Sequence, residues 1–413
     1  MKLAEAFAEL MGKDLPVEFV AYDGSRAGPS DALVQVGLRS QRGLRYLAHS
    51  PGELGLARAY VAGDLEISGD MHTALSQLMA TSGQFNRLGV RRTLRLLHEL
   101  GGVRLLSRPA PPEREVRLRG RRHSKSRDQA AISHHYDVSN TFYEWVLGPS
   151  MTYTCAVYPE SDASLEQAQW TKYELVARKL GLRPGMRLLD VGCGWGGMVR
   201  HAAKEHGVRA VGVTLSTQQA EWGQKKLAEE GLQDLAEVRH GDYRDVQESD
   251  FDAVSSIGLT EHIGKSNLPS YFGFLRDKLK AGGRLLNHCI TRANNLDPAY
   301  HRKGFINRYV FPDGELVGVG HLISLMHDTG FDVRHEENLR EHYAKTLAGW
   351  CANLQEHWNQ AVAEVGEQTA RVWRLYMAAS QLGFERNWIQ LHQVLGVKPD
   401  SNGASEMPLR PSW

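Results

Sequence analysis

Apolar and polar positions change rhythm twice along this chain. At the N-terminus, MKLAEAFAELMGKDLPVEF alternates apolar with charged residues and predicts an amphipathic helix. QVGLRSQRGLRYLAHS (35–50) reads as strand-rich alternation. SPGELGLARAYVAGDLEISGD (50–70) reads as a helix running into a loop. Periodic apolar residues continue through QLMATSGQFNRLGVRRTLRLLHELGGV and stop at Gly101-Gly102. From about residue 128 helical patterns alternate with short apolar runs: MRLLDVG, RAVGVTL, AEVRHGD, FDAVSSIG and GRLLNHCI. This βαβ rhythm predicts a parallel sheet covered by helices. Strand-like alternation ends near residue 291, residues 296–395 read as helix-rich, and NGASEMPLRPSW reads as a loose polar tail.

A chain of 413 residues is too long for one ordinary core. The expected division is an N-terminal α+β domain over 1–105, a linker over 106–127, an α/β domain over 128–400 and a flexible tail over 401–413. Hydrophobic content of 42% and charged content of 23% fit a soluble globular protein, and no apolar run reaches the ~18 residues of a membrane span. Cys155, Cys193, Cys289 and Cys351 form no CxxC pair, so neither a metal site nor a disulfide framework is expected, and a reducing cytoplasm fits. Net charge is only +1, yet Arg104 to Arg127 holds nine basic residues against Glu113 and Glu115, with Pro109, Pro111 and Pro112 among them. Such a segment is either a solvated linker or a contact for anionic headgroups, where each basic residue adds ~1 kcal/mol. Few aromatics interleave with the charges, so nucleic acid is not an expected partner.

The strongest local signal is Leu188-Leu189-Asp190-Val191-Gly192-Cys193-Gly194-Trp195-Gly196-Gly197, an apolar strand entering a Gly-rich turn and then a helix. Glycines let backbone N–H groups approach a ligand closely. The spacing is GxGxG, as in S-adenosylmethionine (SAM) methyltransferases, and no GK[ST] follows to make a P-loop. The next strand ends at Thr214-Leu215-Ser216-Thr217-Gln218-Gln219, offering hydroxyls and amides where dinucleotide binders place an acid. The third ends at Gly241-Asp242-Tyr243, an acid and a ring placed to hold an adenine.

HYDVSNTFYEWVLGPSMTYTCAVY, LLDVGCGWGG, GVTLSTQQ, SSIGLTEHIG, NHCITR and HYAKTL, in that order across 128–395, resemble the cyclopropane-fatty-acid synthase family, which includes the mycolic acid cyclopropane synthases. The resemblance implies a Rossmann-like class I SAM methyltransferase domain with helical insertions. It implies SAM contacts through Tyr153, Thr154, Gly192, Gly194, Thr214, Leu215, Gln219 and Tyr243. Asp190, Cys193, Gly196, Ser216 and Asp242 complete the expected cofactor set.

The chemistry sets its own demands. An alkene is a poor nucleophile, and the SAM sulfonium is a strong methyl donor. Methylation leaves a carbocation, which needs stabilisation, a nearby base and exclusion of water. In the family the base is a bound bicarbonate, and the resemblance implies a pocket from Cys155, Glu261, His288, Ile290 and Tyr343. His288 and Tyr343 have hydrogen-bond donors suited to an anion, Glu261 could accept the bicarbonate proton, and positions 288 and 290 share one face of a strand. Each of these residues taken alone also fits ordinary packing or helix capping.

The pattern departs from the family at Thr154, at Thr260 beside the anion site, and near Ser380, where a family cysteine is missing. Phe305, Tyr309 and Phe311 are candidates for an acyl-channel wall. The expected substrate is an unsaturated phospholipid at the cytoplasmic face of the inner membrane, and the product a cyclopropane or a 10-methylene chain, with a lean toward the latter. A methylene product would need a separate reductase to become a saturated branch. Residues 1–105 are expected to dock on lipid or on a second copy as a homodimer. A small-molecule N- or O-methyltransferase is the alternative enzyme, and a SAM-free lipid-binding protein the alternative from another class.

Overall fold

The computed structural model describes residues 1–12, 15–81, 102–105, 107–116, 122–124, 127–128, 138–300 and 304–413. Most of the expected helix over 77–103, most of the 106–127 segment and the start of HYDVSN lie outside the described residues. The chain divides into two compact units, 1–117 with 302–310 and 358–382, and 118–301 with 311–357 and 383–413. The single cut expected near residue 105 is therefore replaced by an interleaved division.

In the first unit, strands β1 (Glu18–Ala21), β2 (Arg26–Ala27), β3 (Gln35–Leu38) and β4 (Leu65–Ser68) form a sheet ordered β2-β1-β3-β4. The amphipathic N-terminal helix spans Leu3–Met11, and its Phe7 stacks on Phe19 of β1. The 35–50 segment is strand only to Leu38. Ser40 accepts N–H bonds from Arg42 and Gly43 and starts helix Gln41–His49. Helix Glu53–Val61 runs into strand β4 rather than a loop. Two ion pairs explain why later segments join this unit. Arg58 grips Glu115 through Nε and Nη2 at 2.7 and 2.6 Å, with the Tyr309 hydroxyl 3.3 Å from the same carboxylate, and Arg371 reaches Glu66 at 2.6 Å.

In the second unit, β5 (Arg187–Val191), β6 (Arg209–Thr214), β7 (Ala236–His240), β8 (Phe251–Ile257), β9 (Leu279–Arg292), β10 (Asp332–Asn338) and β11 (Ile389–Val397) form one sheet, ordered β10-β11-β9-β8-β5-β6-β7. β5 to β9 are the five predicted strands, and they pair in parallel. β10 and β11 lie in the segment expected to be helical. β11 pairs antiparallel with both β10 and β9, so the sheet is mixed. A short apolar run such as LHQVLGV has no period that separates buried strand from buried helix.

Helix Leu165–Leu180 starts at Ser164, whose side chain accepts the Gln167 N–H, and ends at Gly181 with φ of 66°. It buries Ala168, Gln169, Lys172, Val176, Ala177, Lys179 and Leu180. The C-terminal tail is mostly exposed but anchored at two points: Trp413 donates its indole N–H to His335 at 3.2 Å, and Trp413 and Met407 pack on the sheet core. Two basic residues of the 104–127 stretch are held by ion pairs, Arg127 on Asp313 at 2.6 Å and Arg122 on Glu315 at 3.0 Å. Among the described residues no helix is long and apolar enough to cross a membrane.

Candidate active site

The second unit carries a solvent-open cleft at the C-terminal ends of β5, β6, β7 and β8. β5 delivers Asp190 and then turns through Gly192, Gly194 and Gly196, with φ of 70°, 56° and 79°. The turn is pinned by Cys193 N–H on the Val213 carbonyl at 3.0 Å and Gly196 N–H on the Cys193 carbonyl at 2.9 Å. At Gly197 a Cβ would stand 2.0 Å from the Tyr173 hydroxyl, so only glycine fits.

Tyr153, Thr154, Asp190, Gly192, Cys193, Gly194, Thr214, Leu215, Gln219, Asp242 and Tyr243 all line the cleft. Gly196 and Ser216 do not. Gly196 turns the chain into helix Gly197–His206, and Ser216 is fully buried as the N-cap of helix Thr217–Glu229. The Thr214 hydroxyl donates to Gln219 Oε1 at 2.7 Å and so ties the strand end to the helix start. Asp242 is held by Arg244 through its Nε at 2.7 Å, and the Tyr243 ring packs edge-on against Tyr271 and Phe274. Of the three acyl-wall candidates only Phe311 lines this cleft; Phe305 and Tyr309 are buried in the first unit.

Lys172 is a cleft residue that sequence reasoning missed. Its ammonium donates to the Thr154 hydroxyl at 3.1 Å and lies 3.5 Å over the Tyr173 ring. Burial pulls it down to about 7, with the Asp190 carboxylate acting against the shift. Burial pushes Asp190 up to about 7, against a 2.6 Å hydrogen bond from Ser255 and the Lys172 charge. Gln169, one turn earlier, donates to the Thr154 carbonyl at 2.9 Å. Polar residues at 169, 172 and 179 on the buried stripe of one helix were the readable signal.

Hydrogen bonds lead from Glu261, Cys155 and the Tyr343 backbone to one end of β9 and β11. Glu261, on the short helix Thr260–Ile263, accepts the Ile290 N–H on Oε1 at 2.7 Å. Cys155 Sγ and the Tyr343 N–H both meet the Leu339 carbonyl, at 3.8 and 3.1 Å. Leu339 N–H in turn bonds the carbonyl of Leu391, which pairs with Ile290 across β9 and β11. His288 follows two residues before Ile290 on the same face of β9. The Tyr343 ring stacks on Phe384 at 4.5 Å and meets Trp350 edge-on, and Trp350 reaches Tyr153 of the cleft at 5.3 Å.

Burial dominates the electrostatics here. It pushes Glu261 up to about 7, only partly countered by the Ile290 N–H. Burial, with the Lys172 and Lys179 charges, holds His288 well below its ordinary value, so it is neutral. Burial raises the Cys155 thiol, which stays protonated. Glu261 Oε2 and His288 Nε2 are buried and have no hydrogen-bond partner among the described residues. Buried polar atoms are almost always paired, so each of these two atoms fits a contact with a small polar guest that both accepts and donates. Bicarbonate, with one O–H and two further oxygens, has that character. The Thr260 hydroxyl is engaged elsewhere, donating to Asn287 at 2.5 Å.

A family model described as mycolic acid cyclopropane synthetase matches residues 123–394. The chain is 58% identical over 407 residues to a probable fatty acid methyltransferase of Mycobacterium tuberculosis, covering 96% of this chain and 95% of that one. It is 34% identical over 283 residues to the cyclopropane-fatty-acyl-phospholipid synthase of Escherichia coli, covering 68% and 71%. A mycolic acid cyclopropane synthase crystallised with S-adenosylhomocysteine and CTAB superposes with a TM-score of 0.61 at 32% identity, over 65% of this chain and 97% of that one. With a seven-stranded sheet, a GxGxG turn at its first strand and a cleft across its strand ends, the chain belongs to the mycolic acid cyclopropane synthetase family of SAM-dependent methyltransferases.

Proposed function

We propose that this methyltransferase acts on the double bond of an unsaturated fatty-acyl chain in membrane phospholipid. The alkene takes the methyl group from the SAM sulfonium, releasing S-adenosylhomocysteine and leaving a cation on the second alkene carbon. Loss of a proton from the new methyl with ring closure gives a cyclopropane. A hydride shift to the cationic carbon followed by loss of a methyl proton gives a methylene branch. The methylene product is the one we favour; two relatives covering 96% and 98% of this chain are each named a probable fatty acid methyltransferase, a name compatible with that product. A methylene product would be passed to a separate reductase. The enzyme works at a membrane surface, where its lipid substrate resides.

The unpartnered Glu261 Oε2 and His288 Nε2 carry the proposal. They would hold bicarbonate, with Cys155, Ile290 and Tyr343 around it. Bicarbonate bound there supplies a proton acceptor beside the cation. Glu261 holds the anion's proton, His288 donates to it, and the buried wall excludes water. The test is turnover of oleoyl phospholipid vesicles with SAM in carbon-dioxide-depleted buffer. Activity should fall and return on adding sodium bicarbonate; activity indifferent to bicarbonate would refute the anion site.

A further inference from the structure

His288 has two ring nitrogens, and the one turned away from the proposed anion site is partnered. Directly across the β9–β11 pairing stands Gln393, whose amide Nε2 lies 3.1 Å from His288 Nδ1. The other end of that amide, Oε1, lies 2.7 Å from the ammonium of Lys179, which also pairs with Glu337. Lys179, Gln393 and His288 are all at most 1% exposed, so no water competes for these bonds.

The order of atoms in this chain is forced. An ammonium only donates, so the amide atom facing Lys179 must be the oxygen. The amide nitrogen then faces His288, and it too only donates. Nδ1 must therefore be the bare, accepting nitrogen of a neutral imidazole, and the ring proton must sit on Nε2. Nε2 is the atom left without a partner among the described residues.

We propose that Gln393, locked by Lys179, is a positioning residue that fixes His288 as its Nε2–H tautomer and keeps it a neutral hydrogen-bond donor to the anion site. This rests on the anion-site reading for its purpose, though not for its geometry. With Nδ1 filled and Nε2 already protonated, His288 has no free lone pair to accept a proton. It is a donor and never the base of the reaction.

The decisive substitution is Gln393→Glu. A carboxylate at 393 keeps the Lys179 contact but accepts where the amide donated, which pulls a proton onto Nδ1. Lys179→Met is the second variant, since it frees the Gln393 amide to rotate while Glu337, 37% exposed at its side chain, stays hydrated. The readout is long-range proton–nitrogen correlation NMR of the full chain labelled at histidine, with the His288 signals assigned by their loss in His288→Gln. Wild type should show a bare Nδ1 and a protonated Nε2. Gln393→Glu should show Nδ1 protonated, and Lys179→Met a mixture. In turnover with SAM and oleoyl phospholipid, Gln393→Glu should lower kcat at least about 10-fold, with the KM for SAM unchanged. A protonated Nδ1 in wild type, or a tautomer unmoved by Gln393→Glu, overturns the proposal. If the NMR result is as stated but sodium bicarbonate has no effect on turnover, the tautomer lock stands and the anion-site reading fails.

Discussion

Glu261 gives one carboxylate oxygen to the Ile290 backbone N–H at 2.7 Å and keeps the other buried with no partner among the described residues. A carboxylate in that position costs the fold stability. Its value is raised to about 7 from an ordinary 4.5. The stability linked to it is thus fully present below about 4.5 and is lost as pH rises through about 7. Glu261→Gln should raise Tm at pH 8 relative to wild type, the difference shrinking toward pH 5. The linked free energy is on the order of 3 kcal/mol. The same variant should lose about 100-fold in turnover. Paired thermal melts and assays at both pH values check the two opposite signs.

Gly197 is the tightest point of the cofactor turn. Gly197→Ala would drive a methyl into the Tyr173 hydroxyl, which is 2.9 Å from that of Thr152. The expected cost is about 1–3 kcal/mol, with weaker SAM binding by calorimetry. Removing the obstructing oxygen in Gly197→Ala/Tyr173→Phe should recover part of both losses. Simple additivity of the two single variants would show that they do not meet.

Arg58 and Glu115 form a buried two-pronged ion pair in the first unit. Arg58→Met should destabilise the chain by about 3–5 kcal/mol, because it strands a buried carboxylate. Arg58→Met/Glu115→Leu should be markedly less damaging. Urea denaturation of the full chain compares them.

Acid should undo a second cluster. Burial raises Glu174, but hydrogen bonds from Arg178, His206 and His201 outweigh it and bring it down to about 2. Burial lowers His201, so its neutral form is favoured in the fold. A depressed carboxylate contributes stability above about 4.5 that is lost as pH falls toward 2, and a depressed histidine disfavours the fold as pH falls below its ordinary 6.5. Both act in one direction. Glu174→Gln should lower Tm at pH 7, with the difference shrinking below about pH 4.5 and vanishing only near pH 2, which a pH series of melts would reveal.

Much of the second unit was legible because its signals are local. The five parallel strands are short apolar runs closed by turns, and the glycines at 192, 194 and 196 all adopt the positive φ that their spacing suggested. Where meaning depended on distant partners, the sequence was silent. LHQVLGV became a sheet strand only because β9 and β10 were there to receive it. Gln393 and Lys179, 214 positions apart, meet only in the fold. Trp413 looked like loose tail until His335 took its indole N–H. Ser216 carried the right chemistry at a strand end, yet its side chain turned inward to cap a helix.

The central claim is that a carbon of the acyl chain receives the methyl group. It is tested most directly by incubating the purified full chain with SAM labelled with carbon-13 in its methyl group and oleoyl phospholipid vesicles, then reading the product by carbon and proton NMR. The account predicts label in the acyl chain, as an exocyclic methylene carbon or a cyclopropane ring carbon. Label on a nitrogen or oxygen of the headgroup, with the alkene left intact, would contradict it.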